Sequence, residues 1–484
     1  MEHQDRPLWS LNVGQLSAAY VNGLSPRRVI DATLARVRDI NPKLNAIVTL
    51  DEAGAVSAAD ASARRWKDKR PLGRLDGVPV TIKDNILVAG LRATWGSRLY
   101  ENFVPDEDEL PVRRLREAGA VILGKTNVPE FTVHGFTHNA VFGTTGNPWD
   151  PALTPGGSSG GAVAAVASGM GALAFGTDGG GSIRRPAAHT GLFGFKPSRD
   201  MVRRGRGFPA ILHDFEVIGP IARCVDDIVS GMEVVAGPAW QRLLGESVAG
   251  SPRIAYAPSF GGAAVDPIIR DTVDRTVAGM RSFGLDVELI SPFDLAEPLG
   301  QVWPVISQTG VAWLLSQHRD WENRVAPAIA DMAVAGQKYS ARDYLNALDT
   351  IASIRRVFET LFERYDFLIT PSAAAMPWPA AQSHPTTIDG QPVGPRGHAV
   401  FTPVANALGL PAISLPCVVE DASLPVGLQM IAGKDRDWPL LAFAREYEGR
   451  LFVHRCPPRW DDRTYRPAQC TKRRSISKNS RFSE

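Results

Sequence analysis

Cysteine is scarce in this sequence. Four cysteines occur among 484 residues, at Cys224, Cys417, Cys456 and Cys470, and none of them forms a CxxC pair. Structural zinc sites and disulfide frameworks usually need clustered cysteines. The sequence therefore indicates free thiols and neither a metal site nor a disulfide scaffold.

A surplus of charge of one sign is also lacking. The 53 Lys and Arg residues are almost balanced by 51 Asp and Glu residues, which leaves a net charge of +2. Proteins that bind nucleic acid or anionic membranes usually carry a marked basic excess. We therefore expect neither nucleic acid nor a membrane as a partner.

Long apolar runs are missing as well. No uninterrupted apolar stretch approaches the roughly 18 residues of a membrane span. The first residues, Met1 to Pro7, lack the basic and then apolar pattern of a signal peptide. Hydrophobic residues still make up 44% of the chain, enough for a large core. The sequence predicts a soluble protein of the cytoplasm.

Helical and extended patterns alternate along the chain. Acidic residues precede basic ones between Asp106 and Ala118, the order that a helix dipole favours, and the apolar run 120–123 follows Gly119. Strand-like runs recur at 286–290 and 366–370. This alternation favours an α/β fold with a large sheet covered by helices.

Two glycine-rich serine loops flank one helix-sized segment. The first, Thr154 to Gly161, reads TPGGSSGG, and the second, Gly176 to Arg184, reads GTDGGGSIR. Glycine allows positive φ and close approach of the backbone, so these loops indicate amides aimed at a reacting group beside a serine nucleophile. The alanine-rich run from Ala162 to Ala174 predicts a tight buried helix between them.

A P-loop is one alternative for the chemistry. Residues Gly119 to Thr126 fit the pattern GxxxxGK[ST]. A P-loop must be a flexible turn that precedes a helix, whereas here the intervening residues form an apolar strand and Pro129 disturbs the expected helix. Nucleotide binding is therefore rejected.

A nucleophile elbow is the second alternative. Gly156-x-Ser158-x-Gly160 fits its pattern, but three prolines between Asn147 and Pro155 exclude the strand that must precede it. The elbow also needs a histidine base, and nothing in the surroundings of the downstream histidines recommends one. They are His384, His398 and His454.

Lys83 offers a different base. It closes the apolar run from Leu75 to Ile82 and is followed by Asp84 and Asn85. An exposed lysine has a pKa near 10.4, but burial disfavours the ammonium form and lowers that pKa. A lysine at the buried end of a strand can therefore act as the base in a Ser-Lys variant of the serine-hydrolase mechanism.

These segments together resemble the amidase signature family. The matching segments occur in the family's order over nearly the whole chain, at residues 75–85, 124–127, 155–161, 176–187, 194–198, 403–417 and 424–429. The resemblance implies a single large domain with a central mixed multi-stranded sheet covered by helices. We place that domain at residues 1–466 and expect the polar, basic residues 467–484 to be a disordered C-terminal tail.

The resemblance also implies an amidase that cleaves a carboxylic acid amide into the acid and ammonia or an amine through an acyl-serine intermediate. Ser182 is then the nucleophile, Ser158 the bridging serine after a cis peptide bond, and Lys83 the base. The backbone amides of Gly179, Gly180 and Gly181, with that of Ser182, form the oxyanion hole. Supporting roles fall to Ser159, Thr177, Asp178 and Arg184. No metal and no organic cofactor is implied.

Two substrate hypotheses stay open. The main one is a small-molecule amide cleaved by the chain alone or as a homodimer, and tryptophans such as Trp303 and Trp378 suggest an apolar or aromatic acyl pocket. The alternative is the glutaminase (amidase) subunit of a glutamyl-tRNA amidotransferase-like complex. That alternative requires a polar pocket that recognises the charged α-groups of glutamine, and partner subunits. A scaffold without catalysis is disfavoured because Lys83, Ser158 and Ser182 are all present.

Overall fold

A computed structural model describes residues 6–245, 250–419 and 424–457. The helices are α1 (Val13–Val21), α2 (Pro26–Leu44), α3 (Glu52–Lys67), α4 (Leu110–Glu117), α5 (Gly160–Ala167), α6 (Arg184–Thr190), α7 (Val225–Val235), α8 (Pro238–Gln241), α9 (Pro267–Ser282), α10 (Leu299–Leu315), α11 (Pro327–Gly336), α12 (Ala341–Arg364), α13 (Pro403–Leu408) and α14 (Asp437–Tyr447). None of these helices is both long enough and apolar enough to traverse a bilayer.

The strands build one large sheet and two small hairpins. They are β1 (Ile47–Leu50), β2 (Pro79–Lys83), β3 (Val121–Thr126), β4 (His138–Asn139), β5 (Gly143–Thr144), β6 (Leu173–Asp178), β7 (Phe193–Lys196), β8 (Val217–Ala222), β9 (Arg253–Tyr256), β10 (Asp286–Leu289), β11 (Phe367–Pro371), β12 (Thr387–Ile388), β13 (Gln391–Pro392), β14 (Ala412–Pro416) and β15 (Gly427–Ala432). The large sheet has 11 strands in the order β1-β3-β2-β6-β8-β7-β14-β15-β11-β9-β10.

The sheet contains both parallel and antiparallel pairs. β2 runs parallel to β3 and β6, whereas β6 and β8 are antiparallel. Its central strands are buried along their whole length, as expected for strands covered by helices on both faces. The predicted α/β fold, a single domain with a central mixed sheet covered by helices, is confirmed.

The pairing of β2 with β6 brings distant segments together. Ile82 is paired with Phe175, and both strands end at the same edge of the sheet because they are parallel. Lys83 is the last residue of β2, and Thr177 and Asp178 are the last residues of β6. This edge of the sheet therefore brings Lys83 together with Thr177 and Asp178 of the second serine loop.

One predicted element is shorter than expected. The helix predicted from Ala162 to Ala174 ends at Ala167, and Leu173 and Ala174 belong to β6. Gly169 stops the helix because its φ of +75° lies in the left-handed region, which favours glycine. The segment between the two serine loops is thus a buried helix followed by a buried strand.

The proposed boundary between residues 466 and 467 and the basic C-terminal tail lie outside the described residues. Within the described part, Cys224 and Cys417 are free thiols.

Candidate active site

Lys83 is fully buried at the end of β2. Its Nζ lies 2.8 Å from Ser158 Oγ, 2.8 Å from Thr177 Oγ1 and 3.1 Å from the Thr177 carbonyl oxygen. Burial lowers the pKa of Lys83 from its ordinary value to about 7. The structure therefore brings together three predicted site residues, and a lysine that is partly neutral at neutral pH is in contact with a serine hydroxyl.

Charged neighbours also act on the pKa of Lys83. Beside the dominant effect of burial, the negative charges of Glu216 and Asp178 raise it, and the positive charges of Arg204 and Arg185 lower it. Arg204 holds Glu216 in place, because its Nη1 donates to Glu216 Oε1 at 2.5 Å. Lys83, the predicted base, thus lies among charged groups of both signs.

The first serine loop leads directly into α5. The Gly157–Ser158 peptide bond is cis, as the resemblance implied. Ser159 donates its hydroxyl to the Thr177 carbonyl oxygen at 3.2 Å, and its N–H donates to the Ser182 carbonyl oxygen at 3.1 Å. Ser159 therefore joins the loop that carries Ser158 to the loop that carries Ser182.

The second serine loop is built around the carboxylate of Asp178. Oδ1 accepts the N–H of Gly181 at 2.6 Å, and Oδ2 accepts the N–H of Ile183 at 3.1 Å. Gly181 has a φ of +108°, and a Cβ at this position would lie 2.1 Å from Thr402 Oγ1, so the loop requires glycine here. This wrapping places Ser182 just before α6, with 6% of its surface exposed.

The structure corrects one predicted role in this loop. Gly181 was expected to donate its amide to an oxyanion, but that amide is occupied by Asp178. Within the described chain, the amides of Gly179, Gly180 and Ser182 are free of such bonds. Those three amides therefore stay candidates for the predicted oxyanion hole.

Asp178 and Arg184 form a fully buried ion pair with two hydrogen bonds, of 3.0 Å from Nε and 2.9 Å from Nη2. Burial alone would raise the pKa of Asp178, but the charge and hydrogen bonds of Arg184 hold it well below its usual range. Asn406 and Gln429 complete the network by binding Arg184 and, for Asn406, the Asp178 carbonyl at 2.7 Å. The predicted supporting pair thus anchors the second serine loop to β15 and α13.

A cavity of about 410 Å³ opens in front of Ser182. Gly180, Ser182 and Arg185 contribute to its floor. Its walls include Trp303 and Gln308 of α10, Asp331 and Met332 of α11, and Arg396 and His398. The cavity therefore combines apolar surface with charged groups of both signs.

The cavity arginines have different surroundings. Nη1 of Arg185 donates to the Gly180 carbonyl oxygen and, at 2.9 Å, to Thr402 Oγ1. Arg396 lies over the ring of Trp303, with 4.6 Å between its Cζ and the ring centroid. Burial lowers the pKa of Arg185 to about 9 and that of Arg396 to about 10, so both stay charged at neutral pH.

Two histidines of this cavity are unsuited to be protonated at neutral pH. Burial lowers the pKa of His134 to about 4 and that of His398 well below its ordinary value, and the charge of Arg396 acts in the same direction on both. No group of three or more His, Cys, Asp and Glu side chains within the described ranges is arranged to hold a metal ion.

Sequence reasoning missed several residues of the site. Asn406 and Gln429 lie inside motifs that carried the resemblance, but no role could be assigned to them without the fold. Arg185 directly follows the second serine loop, and the sequence gives it no role beyond its place in the matching segment 176–187. Glu216 and Arg396 lie in no motif, and no signal in the sequence marks them.

A protein-family model described as Amidase matches residues 28–441. Curated relatives include a subunit of the glutamyl-tRNA(Gln) amidotransferase of Moorella thermoacetica, 34% identical over 478 residues that cover 90% of this chain and 95% of the relative. The corresponding subunit from Symbiobacterium thermophilum is 31% identical over 487 residues, 93% of this chain and 98% of the relative.

Solved structures share the fold at somewhat lower identity. A bacterial aryl acylamidase of the amidase signature enzymes superposes with a TM-score of 0.83 at 26% identity, covering 92% of this chain and 96% of that one. The 6-aminohexanoate cyclic dimer hydrolase in complex with substrate gives a TM-score of 0.83 at 25% identity, covering 94% and 100%.

The comparisons overturn the expected partners. We expected a small-molecule amide, no nucleic acid and at most a homodimer. The curated relatives are subunits of an amidotransferase whose name includes a tRNA, so protein partners and a tRNA-bound substrate belong to the relatives' function. The expectation of a small-molecule substrate alone is wrong.

Proposed function

Because the chain belongs to the amidase signature family, whose members cleave C–N amide bonds, we propose that it hydrolyses a carboxamide through an acyl-enzyme on Ser182, with Ser158 and Lys83 as the proton relay. The observation that carries this proposal is the 2.8 Å contact between Nζ of buried Lys83 and Oγ of Ser158. A neutral amine at this place can accept the hydroxyl proton.

In the acylation half of the proposed reaction, Lys83 takes the proton of Ser158 while Ser158 takes that of Ser182. The Ser182 oxygen attacks the amide carbon, and the negative charge that develops on the carbonyl oxygen is stabilised by backbone amides. The candidates are Gly179, Gly180 and Ser182. The proton then returns through Ser158 to the nitrogen, the C–N bond breaks, and ammonia or an amine leaves.

In the second half, water replaces the leaving amine. It passes a proton to the same relay, its oxygen attacks the acyl carbon, and the bond to Ser182 Oγ breaks. The carboxylic acid is released and Ser182 regains its proton. Every step uses only side chains and amides of this chain, and the relay returns to its starting state.

For the substrate, we propose L-glutamine, cleaved by the chain as the amidase subunit of a glutamyl-tRNA amidotransferase-like assembly. The relatives that are named as amidotransferase subunits support this assignment. So does the cavity, because its two arginines and the exposed carboxylate of Asp331 provide charges of both signs for a zwitterion. Ammonia would then serve a tRNA-bound acceptor on a partner subunit, and the setting would be the cytoplasm, where aminoacyl-tRNA is used.

The test measures product formation by the purified full chain from L-glutamine, acetamide, benzamide, indoleacetamide and a long-chain fatty amide. We expect the highest kcat/KM for glutamine, with glutamate and ammonia in equal amounts. Addition of glutamyl-tRNA(Gln) and of co-purified partner subunits is expected to raise the rate. Equal rates across the set, or a preference for the aromatic or fatty amides, would contradict the glutaminase assignment.

The proposed base makes the reaction depend on pH. Lys83 must be neutral to accept a proton, and its pKa is about 7. We therefore expect kcat/KM to fall as the pH decreases through about 7, because the ammonium form accumulates, and to level off above that. The measurement is a pH profile of kcat/KM for the best amide of the panel.

Glu216→Gln tests whether Lys83 sets the acidic limb of this pH profile, which is the fall in kcat/KM as the pH decreases through about 7. The negative charge of Glu216 raises the pKa of Lys83, so its removal is expected to move the limb to lower pH. Glu107→Gln is the matched control, since Glu107 is an exposed acid that pairs with Arg206 at the surface. A limb that stays in place in Glu216→Gln, or that moves equally in both variants, would assign the titration to another group.

A further inference from the structure

Arg396 is a cavity arginine that takes no part in the proposed proton relay. Its guanidinium lies over the Trp303 ring, and its Nη2 atom is inaccessible to solvent and has no hydrogen-bond partner in the described chain. No carboxylate forms an ion pair with it among the described residues. A donor that is removed from water without a partner is costly, so it is expected to be satisfied by a ligand.

The position of Arg396 relative to the nucleophile loop defines where such a ligand sits. A Cβ built on Gly180 would lie 2.7 Å from the Trp303 ring and 3.6 Å from Arg396 Nη2. The Arg396 guanidinium therefore lies close to Gly180, whose amide is a candidate oxyanion donor. An acyl group attached to Ser182 that extends past Gly180 reaches this guanidinium after a short chain.

The other cationic groups nearby are less available. Both terminal nitrogens of Arg185 donate to protein oxygens, namely the carbonyl oxygens of Gly180 and Gly157 and Thr402 Oγ1, and its Nε alone lacks a partner among the described residues. His398 is buried and neutral. Asp331, on the wall, is exposed and forms no ion pair with Arg396. A planar guanidinium that is free to donate favours a carboxylate, which it can bind through two parallel hydrogen bonds.

We propose that Arg396 binds a carboxylate on the acyl part of the substrate, which makes the chain selective for amides of short dicarboxylic acids and for amino acids with a side-chain amide. This inference rests on the proposed function, since it takes Ser182 as the site of acylation. It extends that function by assigning substrate selectivity to one residue that lies in no motif.

The test compares two amides of equal chain length, glutaramate with its free carboxylate and neutral pentanamide. We expect wild type to favour glutaramate in kcat/KM by on the order of 10 to 100-fold, as for hydrogen bonds to a charged group. Arg396→Met is expected to lose this preference through an increase in KM for glutaramate that is larger than any change in KM for pentanamide. Arg396→Lys, which keeps the charge without the fork, is expected to retain part of it.

The controls separate a folding defect from a lost contact. Arg342→Met removes an exposed arginine of α12 outside the cavity and is expected to keep the preference. Retained pentanamide hydrolysis shows that Arg396→Met is folded. A preference for glutaramate that survives in Arg396→Met, or equal kcat/KM values in wild type, would overturn the inference.

A binding measurement distinguishes this inference from the proposed function. Calorimetry with glutaramate on Ser182→Ala, with and without Arg396→Met, reports the carboxylate contact in the absence of turnover. Binding that needs Arg396, together with a wild-type protein that does not cleave glutamine, would support the contact and overturn the glutaminase assignment. Glutamine cleavage by the wild type, together with glutaramate binding that is the same with and without Arg396→Met, would support the glutaminase assignment and overturn the Arg396 contact.

Discussion

Ser182→Ala is expected to abolish amide hydrolysis, with kcat lowered by about 10⁴ to 10⁶, as found when the nucleophile of a serine hydrolase is removed. The reason is that Ser182 carries the hydroxyl that faces the cavity from the second serine loop, beside the candidate oxyanion amides of Gly179 and Gly180. A fluorophosphonate probe, which reacts only with an activated serine, measures this directly. Wild type is expected to be labelled once per chain and Ser182→Ala not at all.

The same probe tests the relay. Ser158→Ala and Lys83→Ala are each expected to lose labelling, because Ser182 then has no route for its proton. Ser316→Ala, which removes an exposed serine at the end of α10, is the control and is expected to react like wild type. Labelling that survives in Ser182→Ala would contradict the nucleophile assignment. Dependence on His384, His398 or His454 would instead restore the histidine-based alternative.

Asp178→Asn is expected to lower the free energy of unfolding by about 3–5 kcal/mol, the usual cost of breaking a buried ion pair by removing one charge. Arg184 would stay fully buried with its charge uncompensated, although its bonds to Asn406 and Gln429 persist. The measurement is the urea midpoint and slope followed by tryptophan fluorescence.

The control for this prediction is a pair at the surface. Glu107→Gln breaks the exposed contact with Arg206, for which about 0–1 kcal/mol is expected. If Asp178→Asn lost no more stability than Glu107→Gln, the Asp178–Arg184 pair would not anchor the second serine loop. Fluorophosphonate labelling of Asp178→Asn reports the local effect, since the amides of Gly181 and Ile183 lose the charge that positions them.

The sequence allowed the positions of Lys83 and both serine loops to be predicted, because each carries a local signal. An apolar run that ends in lysine predicts a buried strand end, and β2 ends at Lys83. Prolines before Ser158 excluded a strand, and no strand of the large sheet precedes that loop directly. These inferences depend on neighbours within a few residues, which the sequence displays directly.

Predictions that depend on contacts between residues far apart in the sequence were less accurate. The aromatic content around Trp303 suggested an apolar pocket, but Arg396, far along the chain, lies against that same ring, so composition could not report the pairing. Gly181 was predicted to be an oxyanion donor from its place in the loop, but its amide N–H donates to the Asp178 carboxylate. The helix predicted between the loops was too long because Gly169 and the pairing of β6 override alanine's helical preference.

Net charge was the least informative quantity. A value of +2 led us to exclude nucleic acid, and the relatives contradict that exclusion. A sum over the whole chain does not describe a local surface, nor a substrate that another subunit presents.

The walls of the cavity come from different elements than the proposed proton relay and its partner Thr177. Lys83 and Thr177 end strands of the sheet, whereas Trp303, Gln308, Asp331 and Met332 belong to α10 and α11, which lie outside it. Exchange of residues 299–336 between related chains is therefore expected to change the walls of the cavity while the proposed reacting groups keep their identity. Grafting this segment is expected to change the acyl preference.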